Sequence, residues 1–512
     1  AIGGVINIIT DDVKNAINVS SDTRYASKGR FTQSVNIDVN TGKFGSYTSY
    51  RRQQAEGWQL NPYEENSKTH ELEETGKVAS TGFYANTVNQ KFTFDATDKL
   101  SFYARGGYYD NKTRRPYEAY DYNILHETFN YGIGAQYMIN KGNYITADCY
   151  ADHFSSSYCF FKDNKTYNGK AGEEQVRKRT RNHNLSIKGI FKLGNRHKLS
   201  VGTEYIVDVL KSQTDNIAKE DAYTLALFAQ DEIKLLRNLQ ALIGVRYIYH
   251  ENFKNHATPN VALMYKPGKF NFRASYAAGF RTPTLSELYA TDIAKKNDRL
   301  TIGNLDLKPE KNNYFSLSAE YVHERFSVSV NAFYNNIRDM IDYNTIATGD
   351  KAMEQYGHKE VRQRDNIAEA KVHGINVSAN AYLGAGFNLS GGYTHLNTQD
   401  VELEQPIDKS IKNAYNINAQ WAHSWKIYRL NINLNGRFNS KRFSKSYGYA
   451  PEYQLWDLNT RHSFNLKSVI IEPGCGMENL FDYMDDRPYN SNYATLTPGR
   501  SFYISLSLKF KS

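Results

Sequence analysis

A regular alternation of apolar and polar residues, without any long apolar run, limits most strongly what this chain can fold into. Alternate positions from Phe272 to Phe280 are apolar, whereas Arg273 and Ser275 lie between them. A period of two places successive side chains on opposite faces of a β-strand, so the segment predicts a strand with one apolar face. The same pattern recurs at 326–334, 431–438 and 502–510.

Composition indicates the surroundings of these strands. The mean hydropathy of −0.66 and the absence of any apolar run of about 18 residues exclude transmembrane helices. Aromatic residues make up 14% of the chain, with 40 tyrosines and 26 phenylalanines, which is high for so polar a sequence. A membrane-spanning barrel combines an apolar outer band and aromatic girdles with a polar lumen. Composition and periodicity together therefore favour strands as the membrane-spanning elements.

The segments between the predicted strands alternate in length. Reading the alternation along the chain gives about 22 strands from near Asn15 to Phe510. Outer-membrane barrels have short periplasmic turns and long extracellular loops, an asymmetry that a soluble sandwich does not predict. Short connections are predicted at 40–43, 96–99, 140–142, 266–269 and 383–386, and long ones at 53–81, 115–126, 162–176, 211–221, 281–310, 343–359, 398–411, 443–452 and 479–498, with short exceptions near Ser27 and Asn252.

The predicted fold class is all-β, a transmembrane antiparallel β-barrel. An even number of strands returns the C-terminus to the side on which the first strand begins, so the last strand can pair with the first. Closure is required because an unpaired strand edge in lipid leaves backbone donors and acceptors unsatisfied. The residues predicted to face lipid include Phe272, Tyr276, Val328, Leu434 and Leu506.

Charge and cysteine usage exclude two other classes of protein. The net charge of +9 is spread along the whole chain, which argues against a nucleic-acid partner because a binding site for nucleic acid needs a concentrated basic patch. Cys149, Cys159 and Cys475 have no metal-ligand spacing. The first two fall on one predicted strand, roughly 33 Å apart, which is far beyond disulfide reach.

Five segments of the chain occur in an order that is typical of one protein family. They are AIGGVINIIT (1–10), AAGFRTPTLSELY (277–289), GNLDLKPEKNNYFSL (303–317), ENLFDY (478–483) and TPGRSFYISLSLKF (497–510). In this order they resemble segments of TonB-dependent outer-membrane receptors. The first resembles the end of the family's plug domain, the next two resemble motifs that flank a long extracellular loop, and the last two resemble its closing strand pair.

This resemblance implies a domain organisation. Residues 1–14 would be the C-terminal remnant of the plug, and residues 15–512 would be the outer-membrane barrel. The rest of the plug would precede Ala1, and no signal peptide is present, so we expect a mature or truncated fragment. The strand count that the resemblance implies agrees with the count from periodicity.

The resemblance also implies a function and partners. Members of the family bind a scarce metal chelate outside the plug and import it actively, without covalent chemistry or a cofactor. The energy comes from the inner membrane through TonB with ExbB and ExbD, which engage the plug. Outer-membrane lipid and a surface lipoprotein are the further partners considered. The bacterial outer membrane is the expected location.

Two rival functions have weaker support in the sequence. A passive porin-like channel has about 16 to 18 strands and an open lumen, so the higher count and the plug-like start oppose it. An enzyme is not expected, because the sequence contains no nucleophile elbow, HExxH motif, phosphate loop or Cys/His cluster with ligand spacing.

Two groups of residues are candidates for binding the chelate. Arginines and tyrosines at the start of one predicted loop could offer cations and aromatic faces to an anionic or planar ligand; the alternative is the rim of an aromatic girdle. The resemblance places a second group near the family's ligands, although packing at the loop base is its alternative role. The first group is Arg114, Arg115, Tyr117, Tyr120 and Tyr122, and the second is Arg281 and Tyr289.

An acidic stretch at 64–74 could coordinate Ca²⁺ through oxygen ligands. The candidate ligands Glu64, Glu65 and Glu71, followed by Glu73 and Glu74, lack the regular spacing of a calcium loop. A hydrated charged loop is the favoured alternative.

Haem is a further ligand to consider. Similar haem receptors carry a histidine in the loop between their two motifs, and residues 284–304 contain none. Haem therefore ranks behind a ferric siderophore and cobalamin, and the sequence leaves the choice between those two open. The loop histidines that keep haem under consideration are His70, His126, His256 and His358.

Overall fold

The structure is a computed structural model, and it describes residues 16–66, 69–294 and 298–511. The predicted plug remnant at 1–14 lies outside the described residues. Neither helix in the described part is long and apolar enough to cross a membrane.

Twenty-two strands form a closed wall, which confirms the predicted fold class and strand number. Their ends alternate between the two sides of the barrel. The wall strands are β1 Ile17–Ala26, β2 Arg30–Asn40, β3 Phe44–Ala55, β6 Gly82–Asp95, β7 Leu100–Arg114, β8 Tyr122–Asn140, β9 Asn143–Phe160, β10 Glu174–Leu193, β11 His197–Ser212, β12 Ile217–Leu236, β13 Leu239–His250, β14 Lys254–Tyr265, β15 Phe270–Arg281, β18 Glu310–Val322, β19 Phe326–Thr348, β20 Glu360–Gly384, β21 Phe387–Asp400, β22 Asn413–Trp425, β23 Tyr428–Asn439, β26 Tyr453–Leu466, β27 Val469–Glu478 and β28 Ser501–Lys511.

The remaining elements lie in the long connections. Four of the short strands form two separate hairpins, and the other two extend the wall sheet above β20. These strands are β4 Tyr63–Glu65, β5 Leu72–Glu74, β16 Thr291–Ala294, β17 Arg299–Ile302, β24 Arg442–Ser444 and β25 Gly448–Ala450, and the helices are α1 Leu285–Tyr289 and α2 Gly349–Tyr356.

The first and last strands close the barrel. β1 pairs with β2 on one side and antiparallel with β28 on the other, from Val19 opposite Phe510 to Ala26 opposite Tyr503. Every other wall strand pairs antiparallel with its neighbours in sequence. The predicted pairing of the last strand with the first is therefore confirmed.

The alternation of short and long connections is confirmed, with one exception. The predicted long loop at 211–221 is wrong, because β11 continues to Ser212 and β12 begins at Ile217. The segment contains neither Pro nor Gly, so its backbone stays paired and the hairpin extends as two strands.

The two faces of the wall differ in chemistry. On one face the register places Tyr276 beside Phe315, and Phe315 beside Tyr334. On the other face polar side chains bond to one another, as where Ser275 contacts Ser316 at 2.7 Å. Because lipid satisfies no polar group, the apolar face is the outer one. Its positions include all five residues predicted to face lipid.

One seam of the wall is paired over only half its length. The ladder between β14 and β15 runs from Tyr265 opposite Phe272 to Asn260 opposite Ala277 and stops there, although both strands continue and pair with their other neighbours. The next residue of β14 is Pro259, which has no N–H to donate. Above this point the two strands meet through side chains, with the rings of His256 and Phe280 4.8 Å apart.

The cysteines do not form disulfides. Cys149 and Cys159 both lie on β9, as predicted, and all three cysteines are free.

The two-faced wall predicts how charges will be tolerated. Val330→Arg places a cation on the outer face and is expected to lower the free energy of unfolding in lipid by about 2 to 4 kcal/mol. The control is Asn331→Arg, which places the same cation on the inner face of β19 and should cost clearly less. Reversible unfolding in lipid vesicles measures both; equal losses would contradict the assignment of faces.

Candidate functional site

The extracellular end of the barrel holds two apolar cores that fix its longest loop. One contains Leu288 of α1 with Leu307 and Ile341. The other joins β17 to the tops of β19 and β20, through Leu300 and Val361. β17 pairs in parallel with β20, so the loop between β15 and β18 is built into the sheet that rises above the membrane.

Arg281 anchors the start of this loop. Its guanidinium forms two bonds to the Glu310 carboxylate, at 2.6 and 2.8 Å, and another at 2.9 Å to Glu287. Glu310 is buried and also accepts the backbone N–H of Ile341. Arg281 therefore contacts α1 and β18, Glu310 extends the network to β19, and both anionic partners of Arg281 belong to the protein.

Tyr289 lies in the same loop base. It packs against the core around Leu288. Burial raises the pKa of Tyr289, with Glu220 and Glu251 adding to the shift. These contacts agree with the packing role that the sequence offered as the alternative.

Glu287 connects the ion pair to the helix. Thr284 caps α1 by accepting the Glu287 N–H, and the Glu287 carboxylate accepts the Thr284 N–H at 2.7 Å. This reciprocal pair is a capping box. Burial raises the pKa of Glu287, but bonds from Arg281 and Thr284 lower it by more, so the pKa lies below its ordinary value.

An arginine–tyrosine cluster forms where β7–β10 leave the membrane. Its first half comes from the predicted group: the Arg115 guanidinium lies 3.7 Å from the centroid of the Tyr120 ring and 4.9 Å from that of Tyr122. The Tyr122 ring stacks on Tyr158 at 4.0 Å. Tyr122 and Tyr158 occupy lumen-side positions of β8 and β9, so the cluster borders the lumen.

The patterns in the sequence did not indicate the second half of the cluster. Tyr167 lies 5.2 Å from Tyr158, and Arg177 stands over both rings at 5.0 and 5.4 Å. Tyr158 could have been found, because it continues the alternation of β9. Tyr167 meets it because the loop at 161–173 folds back over the strands, and Arg177 meets it through the pairing of β10 with β9.

Two guanidinium nitrogens in this cluster are buried without a hydrogen-bond partner among the described residues, Nη1 of Arg115 and Nε of Arg177. Buried donors are normally satisfied, and an arginine group left unpaired is costly. The cluster therefore places two cations, each with one unsatisfied donor, beside ring faces that can contact a planar group.

The structure separates the other members of the predicted group from this cluster. Arg114 points to the outer face, with its guanidinium 5.5 Å from the Tyr84 ring. Tyr117 is exposed and stacks on Phe161 at 5.5 Å, with the Lys162 amine over its ring.

The predicted acidic residues fall on the β4–β5 hairpin. Glu64 pairs with Lys77 at 2.7 Å, and Glu65 contacts His70 at 2.7 Å. Within 16–66, 69–294 and 298–511, no group of three or more His, Cys, Asp or Glu side chains is placed to hold a metal ion. Calcium binding by Glu64, Glu65 and Glu71 stays a prediction.

The hairpin is tied to its neighbours beside the cluster. The Tyr489 N–H donates to the Tyr63 carbonyl at 2.7 Å, and Lys77 stands over the Tyr489 ring. Burial raises the pKa of Tyr489, and nearby Tyr120 adds to the shift. The loops at 56–81, 115–121 and 479–500 thus meet on one side of the mouth.

The four predicted histidines lie in different surroundings. His126 stacks on Phe154 and His256 on Phe280. His70 contacts Glu65, and His358 contacts Asp298 at 2.9 Å. Each of the four imidazoles therefore contacts a different side chain of the protein.

Comparison with known proteins gives a family match and several similar folds. The family model described as TonB dependent receptor-like, beta-barrel matches residues 29–472. A double mutant of the ferric enterobactin receptor PfeA from Pseudomonas aeruginosa is 17% identical, with a TM-score of 0.84 over 100% of this chain and 83% of that chain. The siderophore receptor PirA from Acinetobacter baumannii is 15% identical, with a TM-score of 0.78 over 98% and 82%. The copper transporter OprC is 10% identical, with a TM-score of 0.75 over 98% and 81%.

The Glu287 bonds predict a pH response of the loop. Because its pKa is lowered in the folded state, the stabilisation is present above the ordinary pKa of a glutamate and is lost as the pH falls through the folded-state value. The protection factors of the amides in residues 285–294, which are exchange rates corrected for the intrinsic effect of pH, should therefore be high at neutral pH and fall below about pH 4. In Glu287→Gln the protection factors should already be lower at neutral pH and change less on acidification; identical pH profiles would contradict the role given to this carboxylate.

Proposed function

The chain belongs to the TonB-dependent receptor β-barrel family, and from this premise we propose that it binds a ferric siderophore at its extracellular mouth and imports it with energy delivered through TonB. Members of this family lie in the bacterial outer membrane, and so does this barrel. It is a membrane receptor and not an enzyme.

The arginine–tyrosine cluster is the observation that supports a ferric siderophore as the ligand. Its rings offer flat contact surfaces, and Arg115 and Arg177 bring two cations that form no ion pair with a described residue. An anionic chelate with aromatic groups matches both features, since cations and ring faces attract anions and planar groups respectively.

Two similar structures add support for iron as the cargo. One is described as a ferric enterobactin receptor and another as a siderophore receptor. Cobalamin remains the alternative cargo within the same mode of transport. Haem has less support, because its candidate histidines have separate neighbours within the protein.

The proposed energy coupling depends on a segment and on partners outside the described barrel. Residues 1–14 would end a plug that closes the lumen and presents a segment to TonB in the periplasm. ExbB and ExbD would supply the energy from the inner membrane, and a surface lipoprotein is a further possible partner at the mouth.

Energy coupling can be tested with the full-length receptor in cells. Uptake of radiolabelled ferric enterobactin and of radiolabelled cobalamin is measured in strains with and without TonB. We expect ferric enterobactin to accumulate only when TonB is present. Uptake of cobalamin alone would show that cobalamin, and not a ferric siderophore, is the cargo. TonB-independent flux of small solutes would contradict active transport and favour the porin-like channel.

Binding at the mouth can be tested with neighbouring arginines. Arg115→Ala and Arg177→Ala should each weaken binding of ferric enterobactin by roughly 5- to 30-fold, the effect of losing about 1 to 2 kcal/mol of cation contact. The matched control is Arg114→Ala, which removes the preceding arginine from the outer face. Titration by intrinsic fluorescence measures all three; equal affinities for Arg115→Ala and wild type would exclude the cluster as the ligand site.

A further inference from the structure

The outer face of β10 changes from apolar to cationic near its extracellular end. Leu185 is exposed and apolar, His183 follows on the same face, and Arg181 and Arg179 come next, both exposed. On β11, Lys211 is exposed and lies directly opposite Arg179. We refer to Arg179, Arg181 and Lys211 as the outer cationic patch.

Aromatic residues on the same face place this patch relative to the membrane. The rings of Tyr205, Tyr223 and Tyr249 form a row across β11, β12 and β13, at spacings of 5.9 and 6.0 Å. Tyr205 lies opposite Leu185, below the patch. Tyrosine belts mark the boundary between hydrocarbon and headgroups, so the patch lies at headgroup height.

None of the three cations has a direct ionic partner among the described residues. Within the part of the chain that the structure describes, none of its three side chains forms a hydrogen bond or ion pair. The nearby acids on this face have other partners: Glu127 accepts the Tyr108 hydroxyl at 2.8 Å, and Asp221 pairs with Lys219 at 3.3 Å.

Directly opposed like charges destabilise a sheet. The pairing of Arg179 with Lys211, with Arg181 next to it on the same face, is therefore unfavourable, and no ion pair with a described residue offsets it. A second opposed pair, Lys311 and Arg338, differs because Glu369 lies 3.9 Å from the Arg338 side chain. The patch on β10 and β11 lacks such a neighbour among the described residues.

A recess of about 270 Å³ opens beside the patch. It combines aromatic surface with the two arginines, and Nε2 of His153 is buried there without a partner among the described residues. Its lining includes Tyr108, Glu127, Phe129, His153, Arg179 and Arg181.

We propose that the outer cationic patch binds the phosphomonoester headgroup of a lipid in the outer leaflet. Guanidinium groups form paired hydrogen bonds with phosphate oxygens, and the patch lies directly above the apolar residues along which acyl chains run. A lipid therefore satisfies both the cations and the surface below them, whereas free phosphate satisfies only the cations.

The site is tested by native mass spectrometry of the full-length receptor in detergent with phosphatidic acid or phosphatidylcholine added. The wild type should retain phosphatidic acid in preference to phosphatidylcholine. In the triple variant Arg179→Ala, Arg181→Ala, Lys211→Ala, retention should fall roughly 100-fold, since each cation near a lipid surface contributes about a factor of five. The matched control is Lys188→Ala, which removes one cation from the inner face of β10 and should retain the lipid.

Lipid retention can also be tested in the wild type alone, by raising the salt concentration. Retention of phosphatidic acid should fall as ionic strength rises, because exposed charges are screened. Unchanged retention in the triple variant would overturn the proposal, as would salt-independent retention. Complete displacement of phosphatidic acid by millimolar inorganic phosphate would also overturn it, because the patch would then be a simple anion site. The result is independent of the cargo, since no step of the test uses the mouth of the barrel.

Discussion

The structure depends on pairing every backbone N–H and C=O within the hydrocarbon layer. Water is absent there, so a strand edge left open would carry unsatisfied groups along its whole length. The pairing of β1 with β28 removes that edge. The seam between β14 and β15 is an exception to this rule, because its ladder stops beside Pro259, which has no N–H, and beyond that point the two strands meet through side chains.

Closure gives each strand one face toward the lumen and one face toward lipid, so the two faces carry different kinds of side chain. Inner-face polar groups bond to one another, as Asn418 does with Asn433 at 2.7 Å. The outer face carries apolar residues bounded by rings. Because successive side chains point to opposite faces, Arg114 points outward while Arg115, the next residue, lies with its rings at the mouth.

The arginines at the extracellular end differ in how far the protein neutralises them. Arg281 has two carboxylate partners and holds the loop base. Arg115 and Arg177 lie against rings and keep buried nitrogens without partners among the described residues. Arg179 stands in the outer cationic patch, opposite another cation. Arg281 therefore makes a structural contact, whereas the arginines of the cluster and of the outer cationic patch lie on two surfaces that suit external anions.

The sequence by itself determined the barrel, its strand number and its two faces, because a period of two is a local property and closure in lipid follows from backbone chemistry. It also placed Arg115, Tyr120 and Tyr122 at a loop start near the mouth. Only the tertiary structure brought Tyr167 and Arg177 to them, since the position of Tyr167 depends on how its loop folds back and that of Arg177 on the register between β9 and β10. The same holds for the two partners of Arg281 and for the cations of β10 and β11, because ion pairing across strands depends on register and not on spacing along the chain.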